Sequence, residues 1–279
     1  MQDQFQSWAS QTPELRKTTL KMIHKAGSGH PGGSLSLIEI LMSLLGDNGV
    51  MDIDPKDPLK AHRDRLVLSK GHGVPALYAI MSSIGYDITQ DELMSLRQMG
   101  SRLQGHPDRA RLPYMEASTG SLGQGLSISQ GLAMAYKADS INHRIFCIVG
   151  DGEIQEGQIW EAAMSSAHYK LDNLSVIVDY NKGQIDGPVS EVMGLEPLKE
   201  KWTSFGWNTV EVDGHNYNEL YDALKNKSKG APQCVIAHTL KGKGVDFMEH
   251  PTNWHGRSPS DEELKLALEK IDLSHPIGV

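Results

Sequence analysis

Cysteine is scarce in this sequence, with two residues, Cys147 and Cys234, in 279. Each lies inside a short apolar run, where a small buried side chain is the plain reading, so a redox role is not expected. Basic charge is in deficit. Lysine and arginine number 27 against 35 aspartates and glutamates, a formal net charge of -8, which argues against a chain whose main task is to neutralise a nucleic-acid backbone or coat an anionic membrane. No apolar run is long enough to cross a bilayer, and Met1 to Ser10 lack the basic segment and apolar core of a secretory signal. The expectation is a soluble, cytoplasmic protein with no nucleic-acid or membrane partner. Internal repeats, low-complexity tracts and long charge blocks are also missing, so the simplest division is one domain over residues 1–257 with a helical extension over 258–279.

What is present is an alternation of helical and strand patterns punctuated by glycine. Thr12 to Ala26 reads as a helix with Pro13 at its first position, stopping at Gly27, and a second apolar helix runs from about Ser34 to Leu45, ended by Gly46. Arg65 to Leu68 reads as a short strand entering Ser69-Lys70-Gly71-His72-Gly73, with a helix following through Tyr78 and Met81. Thr89 and Glu92 have the spacing of a capping box, which predicts a helix ending before Gly100. Thr119-Gly120-Ser121-Leu122-Gly123-Gln124-Gly125 opens another helix that continues to about Ala138. Ile145 to Val149, Gly157 to Tyr169 and Leu174 to Val178 then form a βαβ unit. Strand-like runs at Thr209 to Val212 and Cys234 to Ala237, around a helical pattern from Tyr217 to Lys225, extend it to an α/β fold: a mostly parallel sheet with helices on both faces. Ser260 with Glu263 caps one more helix.

The chemistry gathers in the loops. Gly150-Asp151-Gly152 follows the first strand of the βαβ unit and Asn181 follows the second, so a right-handed crossover brings Asp151 and Asn181 to one edge of the sheet. Ligands of open α/β sheets bind outside the carboxyl ends of the strands, and a carboxylate with an amide oxygen suits magnesium holding a diphosphate. Each turn alone is more often a turn and nothing else; their place after consecutive buried strands is what favours a site. Twelve histidines offer no closely spaced His/Cys set for zinc. His24, His62, His143 and His168 read as surface or hydrogen-bonding residues, whereas His30, His72, His106 and His255 each adjoin glycine or proline in a turn. Gly27-x-Gly29-x-x-Gly32 fits the dinucleotide fingerprint by letter, but a helical pattern precedes it where a strand is required and Pro31 interrupts the turn, which leaves a nicotinamide dehydrogenase as the minor alternative.

Gly150-Asp151-Gly152 with Asp179-Tyr180-Asn181 resembles the thiamine diphosphate motif, and the loops Ser28 to Gly33, Ser69 to Gly73, Gly105-His106-Pro107, Thr119 to Gly125 and Trp254-His255-Gly256 resemble those of transketolases, in order and over almost the whole chain. The resemblance implies the diphosphate-binding domain of the thiamine diphosphate fold. It implies that Asp151, Asn181 and the Gly183 carbonyl hold Mg2+, with Ca2+ or Mn2+ able to take its place. Gly152, His72, Lys241, Asn181 and His255 would then surround the diphosphate, and Ser121, Leu122 and Gly123 would lie near the cofactor rings. His30, His72, His106 and His255 would serve catalysis, because imidazole exchanges protons near neutrality. Gly33 stands where some relatives have serine. No part of the chain resembles the domain that supplies a glutamate to the aminopyrimidine ring. The expectation is therefore the N-terminal subunit of a two-subunit transketolase, moving a two-carbon ketol unit from a phosphorylated ketose to an aldose. Its partner would be a chain carrying the pyrimidine-binding and C-terminal domains, with two copies of each subunit. The alternatives are a sulfonated or branched sugar as substrate, a 1-deoxyxylulose-phosphate synthase or 2-oxoacid dehydrogenase α subunit, and a non-catalytic binding or regulatory homologue.

Overall fold

Five strands form one all-parallel sheet in the computed structural model, which describes residues 2–249 and 252–273. They are β1 (Arg65–Leu68), β2 (Ile145–Gly150), β3 (Leu174–Tyr180), β4 (Asn208–Asp213) and β5 (Gln233–His238), in the order β1-β2-β3-β5-β4. The helices of the described residues are α1 (Gln2–Ala26), α2 (Pro31–Leu35), α3 (Ile38–Leu45), α4 (Val74–Ser83), α5 (Gln90–Leu93), α6 (Gln124–Ala138), α7 (Gly157–His168), α8 (Val189–Val192), α9 (Leu198–Ser204), α10 (Tyr217–Lys225) and α11 (Asp261–Leu273). None is long and apolar enough to cross a membrane.

The central strands β2 and β3 are buried along their whole length because both of their faces are covered. Side chains alternate across a strand. Phe146, Ile148, Ile177 and Val235 therefore enter one core with Trp8 of α1, Leu41 of α3, Tyr78 of α4 and Leu220 of α10. Cys147, Val149, Val176 and Cys234 enter the opposite core with Leu126 of α6, Ile159 of α7 and Trp202 of α9. Both cysteines are free and buried, and burial pushes their thiols above the ordinary range, which leaves them inert side chains of the core.

Three elements differ from the sequence expectation. The first helix starts ten residues early and carries Pro13 in its interior. Burial outweighs the lost backbone bond: Trp8 packs against Tyr217 and Tyr221, and the Thr12 hydroxyl donates to the Trp8 carbonyl. The apolar run after Pro31 is two helices, because Ser36 turns inward at the break and donates to Asp179 Oδ2 at 2.6 Å. The Thr89 box forms, with the Glu92 N–H donating to Thr89 Oγ1 at 3.1 Å, but its helix lasts four residues. Arg97, at φ 61°, turns the chain out of helical geometry soon afterwards.

The helix α11 is capped reciprocally by Ser260 and Glu263. Its Ala267 and Ile271 pack with Leu20 of α1, Leu35 of α2, Val245, Met248 and Trp254. A buried charge cluster ties the other side of α1 to the segment after β5. Arg16 lies 2.6 Å from Glu39, His215 Nδ1 lies 3.1 Å from it, Arg16 Nε donates to the Lys243 carbonyl, and the Leu240 N–H donates to His215 Nε2. Lys241 is thereby held between two fixed backbone groups.

Burial pushes the Glu39 carboxyl up, but Arg16 and His215 outweigh it and hold the group down at about 2. A depressed carboxylate contributes its full stability above its unfolded value and loses it as pH falls toward the folded one. Acid unfolding of the chain is thus expected to include a loss between about pH 4.5 and 2 that Glu39→Gln removes. At neutral pH the same variant leaves Arg16 buried without its partner, a loss of about 3–5 kcal/mol, read as a lower urea midpoint. An unchanged midpoint would show that the cluster does not stabilise the fold.

Candidate active site

The register of β2 and β3 pairs Gly150 with Asp179, so Asp151 and Asn181 emerge side by side at the carboxyl edge. Asp151 is 2% exposed and Asn181 9%. Asp151 Oδ1 accepts the Gly152 N–H at 2.8 Å and Oδ2 accepts the Lys182 N–H, so the carboxylate is aimed by the two turns that flank it. Asn181 Oδ1 accepts the Gly183 N–H at 3.1 Å while its amide nitrogen lies 3.4 Å from Asp179 Oδ2. Asp151, Gly152, Asn181 and Gly183 line one cavity with Leu122, Lys241, His72 and His255. Ser121 is exposed and Gly123 is buried behind the wall, giving its N–H to Glu153 Oε1 at 3.0 Å, so neither lines this cavity. Among the described residues no three His, Cys, Asp or Glu side chains converge on a metal position.

Beneath the cavity lies a buried network that carried no assigned role in the sequence. Lys70 Nζ donates to Asp179 Oδ2 at 2.5 Å and to the Gly33 carbonyl at 3.1 Å, and Thr239 and Ser36 also donate to Asp179. These donors and the Lys70 charge outweigh burial and keep the Asp179 carboxyl below its ordinary value. Glu153 accepts from Ser69 Oγ and from the Gly123 and Gly150 N–H groups, stitching the glycine loop before α6 to the end of β2. Ser69-Lys70 directly after a buried strand was the available signal. Their partners, 109 and 84 residues away, were not visible in local pattern.

Burial and the neighbouring Asp179 push the Asp151 carboxyl up to about 7, against two backbone N–H groups and Lys70. Burial and Lys70 push the Lys241 ammonium down to about 8. Burial is thus the leading cause that favours the neutral form of both groups. A dication beside Asp151 and an anion beside Lys70 and Lys241 would relieve both.

The four loop histidines converge. The His30 ring centroid lies 5.1 Å from that of His72, 5.4 Å from His255 and 6.3 Å from His106, and His72 lies 5.3 Å from His255. His72 and His255 line the first cavity, His106 lines a second, and His30 lies among the three. Lys241 Nζ is 3.0 Å from His255 Nδ1. Burial is the leading cause that lowers the proton affinity of all four, with nearby cations adding to it: His30 to about 4, His255 to about 3, His72 well below its ordinary value, and His106 downward. His30 Nδ1 is buried without a hydrogen-bond partner among the described residues. The cluster is thus a row of neutral imidazoles facing open space. His24 pairs with Asp261 at 2.8 Å, away from this row.

Known proteins show the same arrangement of sequence and fold. The family model described as transketolase, thiamine diphosphate binding domain, matches residues 9–276. The 6-deoxy-6-sulfo-D-fructose transketolase subunit SqwG of Clostridium sp. (strain MSTE9) is 44% identical over 260 residues, covering 92% of this chain and 94% of that protein. An apulose-4-phosphate transketolase subunit of Phocaeicola vulgatus is 39% identical, covering 96% of this chain and 95% of that protein. Transketolase from Leishmania mexicana superimposes with a TM-score of 0.89 at 31% identity, over 96% of this chain and 42% of that one. The chain spans 43% of the length of human transketolase, to which it is 38% identical. A family match over residues 9–276, with relatives 38–44% identical over most of the chain, places the chain in the transketolase family, as a thiamine diphosphate binding domain.

Proposed function

We propose that the chain is the thiamine-diphosphate-binding subunit of a two-subunit transketolase, an enzyme that moves a two-carbon ketol unit from a ketose to an aldose. The single observation that carries this reading is the pairing of Asp151 and Asn181 on the wall of one cavity with Lys241 and two histidines. The residues fit the cofactor. A Cβ at Gly183 would stand 2.9 Å from Lys241 Cδ, and one at Gly33 would stand 3.2 Å from His72 Nε2 and 3.4 Å from Lys70 Nζ, so the glycines keep a cradle open beneath two ammonium groups. Asp151, Asn181 and the Gly183 carbonyl form an all-oxygen donor set suited to Mg2+, or to Ca2+ or Mn2+ in its place. His72, Lys241, His255, Asn181 and Gly152 would hold the diphosphate, with Ser121, Leu122 and Gly123 on the side of the rings.

Bound thiamine diphosphate supplies a nucleophilic carbon and an electron sink for cleaving and forming a carbon–carbon bond. The chain supplies position and proton handling. Lys241 and Lys70 balance the diphosphate charge, while Asp179 and Glu153 keep Lys70 and the glycine loop in place. His30, His72, His106 and His255 donate hydrogen bonds to, and exchange protons with, the hydroxyl and carbonyl oxygens of the sugar, which suits neutral imidazoles within reach of one another.

Two relatives named as subunits match this chain along almost their whole length, which supports a separate partner polypeptide; that partner would bear the pyrimidine-binding and C-terminal domains, and two copies of each chain would form a heterotetramer. The same names favour a sulfonated or branched sugar beside the phosphorylated pentoses of the pentose phosphate pathway as the substrate. Residues 1–257 would form the cofactor domain and 258–279 an extension whose α11 packs on it, in a cytoplasmic enzyme. Ketol transfer measured with Mg2+ and thiamine diphosphate should require this chain and its partner together, and pyruvate should yield no decarboxylation. Full transfer by this chain alone would overturn the two-subunit reading.

A further inference from the structure

Arg16, Glu39 and His215 line no part of the cofactor cavity, yet they reach it through the backbone. Glu39 is fully buried, with Arg16 4% and His215 6% exposed. The bonding fixes the state of the imidazole. The Leu240 N–H donates to His215 Nε2 at 2.9 Å, so that nitrogen carries no proton, and Nδ1 donates its own to Glu39 Oε2 at 3.1 Å. Arg16 Nη2 holds the other Glu39 oxygen at 2.6 Å. His215 meets Leu240 because β4 and β5 pair Asp213 with His238, which sets the residue two beyond one strand beside the residue two beyond the other. The His215 N–H donates to Asp213 Oδ1 at 2.8 Å and fixes the turn from which the ring projects.

The turn after β5 is pinned on both sides of Lys241. His215 takes the Leu240 N–H, the Gly32 carbonyl accepts the Gly242 N–H at 3.0 Å, and Arg16 Nε donates to the Lys243 carbonyl at 2.9 Å. Gly242 stands at φ 79° and Gly244 at φ 92°, a backbone that glycine adopts without strain. From this turn the Lys241 stem runs between Gly32 and Gly183, where added Cβ atoms would stand 2.9 Å from its Cγ and from its Cδ. The ammonium ends 3.0 Å from His255 Nδ1 and 3.4 Å from the Gln184 carbonyl. A lysine side chain is a point charge on a flexible stem, so the place of this charge depends on how firmly its root is held.

We infer that His215 is a positioning residue for the cofactor: its unprotonated Nε2 fixes the Leu240 N–H, and through it the place at which the Lys241 ammonium meets the diphosphate. This rests on the cofactor reading above, and the test separates the two. Asparagine can supply the donor that stands at Nδ1, and glutamine the acceptor that stands at Nε2. His215→Asn therefore keeps the bond to Glu39, and His215→Gln keeps the bond to Leu240. In the ligand-free chain, exchange of the Leu240 amide should be about 5- to 10-fold faster in His215→Asn than in His215→Gln, and the Lys241 Cε resonance should move in the first variant alone. With the partner chain and Mg2+, calorimetry with inorganic pyrophosphate should give a Kd about 5- to 10-fold weaker for His215→Asn and within about 2-fold of wild type for His215→Gln. Stability should run the other way. His215→Gln leaves the buried Glu39 without one of its donors, so the urea midpoint of that chain should fall below that of His215→Asn. A purely structural role would give the same order in affinity and in stability, and that result, or equal pyrophosphate binding by the two variants, overturns the inference. A wild-type complex that ignores pyrophosphate would sink the cofactor reading, leaving the ligand-free comparison of Leu240 and Lys241 to decide the positioning.

Discussion

Replacing Asp151 with asparagine is expected to abolish cation-dependent binding of thiamine diphosphate while leaving the fold intact. The substitution keeps the shape of the side chain at the end of β2 and keeps an oxygen to accept one of its two backbone N–H groups. It removes the only carboxylate of the proposed cation site. Truncating one member of a buried, hydrogen-bonded charge pair costs about 3–4 kcal/mol, roughly two to three orders of magnitude in affinity. Calorimetry with Mg2+ present should show that loss. The urea midpoint of the cofactor-free variant should not fall, because burial and Asp179 already disfavour the Asp151 charge. A variant that unfolds, or one that binds the cofactor as the wild type does, contradicts the assignment.

Replacing His30 with asparagine carries the second large effect. The His30 ring lies within 6.3 Å of all three other loop histidines, and its Nδ1 is buried with no hydrogen-bond partner among the described residues. A positioned acid or base contributes about 10²- to 10⁴-fold, so kcat of the complete enzyme should fall by at least about 10²-fold. Binding of the diphosphate, which rests on Lys241 and Asp151, should hold within a few-fold. The protonation state can be checked separately. Burial, then Arg97 and the neighbouring cations, lower the His30 pKa to about 4, so the ring in the cofactor-free chain should show no titration by NMR between pH 5 and 8. A midpoint near 6.5 would mean that the row is open to water. Equal losses in kcat and in cofactor affinity would reduce His30 to a structural residue.

The β2–α7–β3 unit is legible in the sequence because a parallel strand covered on both faces must be almost wholly apolar, and Ile145 to Val149 and Leu174 to Val178 are, with Ser175 the one polar side chain among them. Asp151 and Asn181 are legible for the same reason: a polar residue in a glycine-containing turn, directly beyond such a strand, can only lie at the sheet edge. The support beneath them is not. Lys70, Asp179 and Glu153 look like ordinary charges until the fold brings them together, and their buried bonds span 109, 143 and 84 residues. The start of α1 was hidden by Pro13, whose local rule marks a first turn, whereas Trp8 and Phe5 gain more from packing on α10 than the proline costs. Ser121 and Gly123 share a motif with Leu122, but only Leu122 lines the cavity, since the left-handed turn at Gly123, φ 86°, carries the backbone behind Glu156.

Anomalous diffraction from the complex of this chain, its partner, thiamine diphosphate and Mn2+ puts the whole assignment to one reading. The ion should stand about 2.0–2.2 Å from an Asp151 oxygen, Asn181 Oδ1 and the Gly183 carbonyl, with diphosphate oxygens completing its shell. A manganese peak away from those three atoms, or a diphosphate bound with no ion against Asp151, would contradict it.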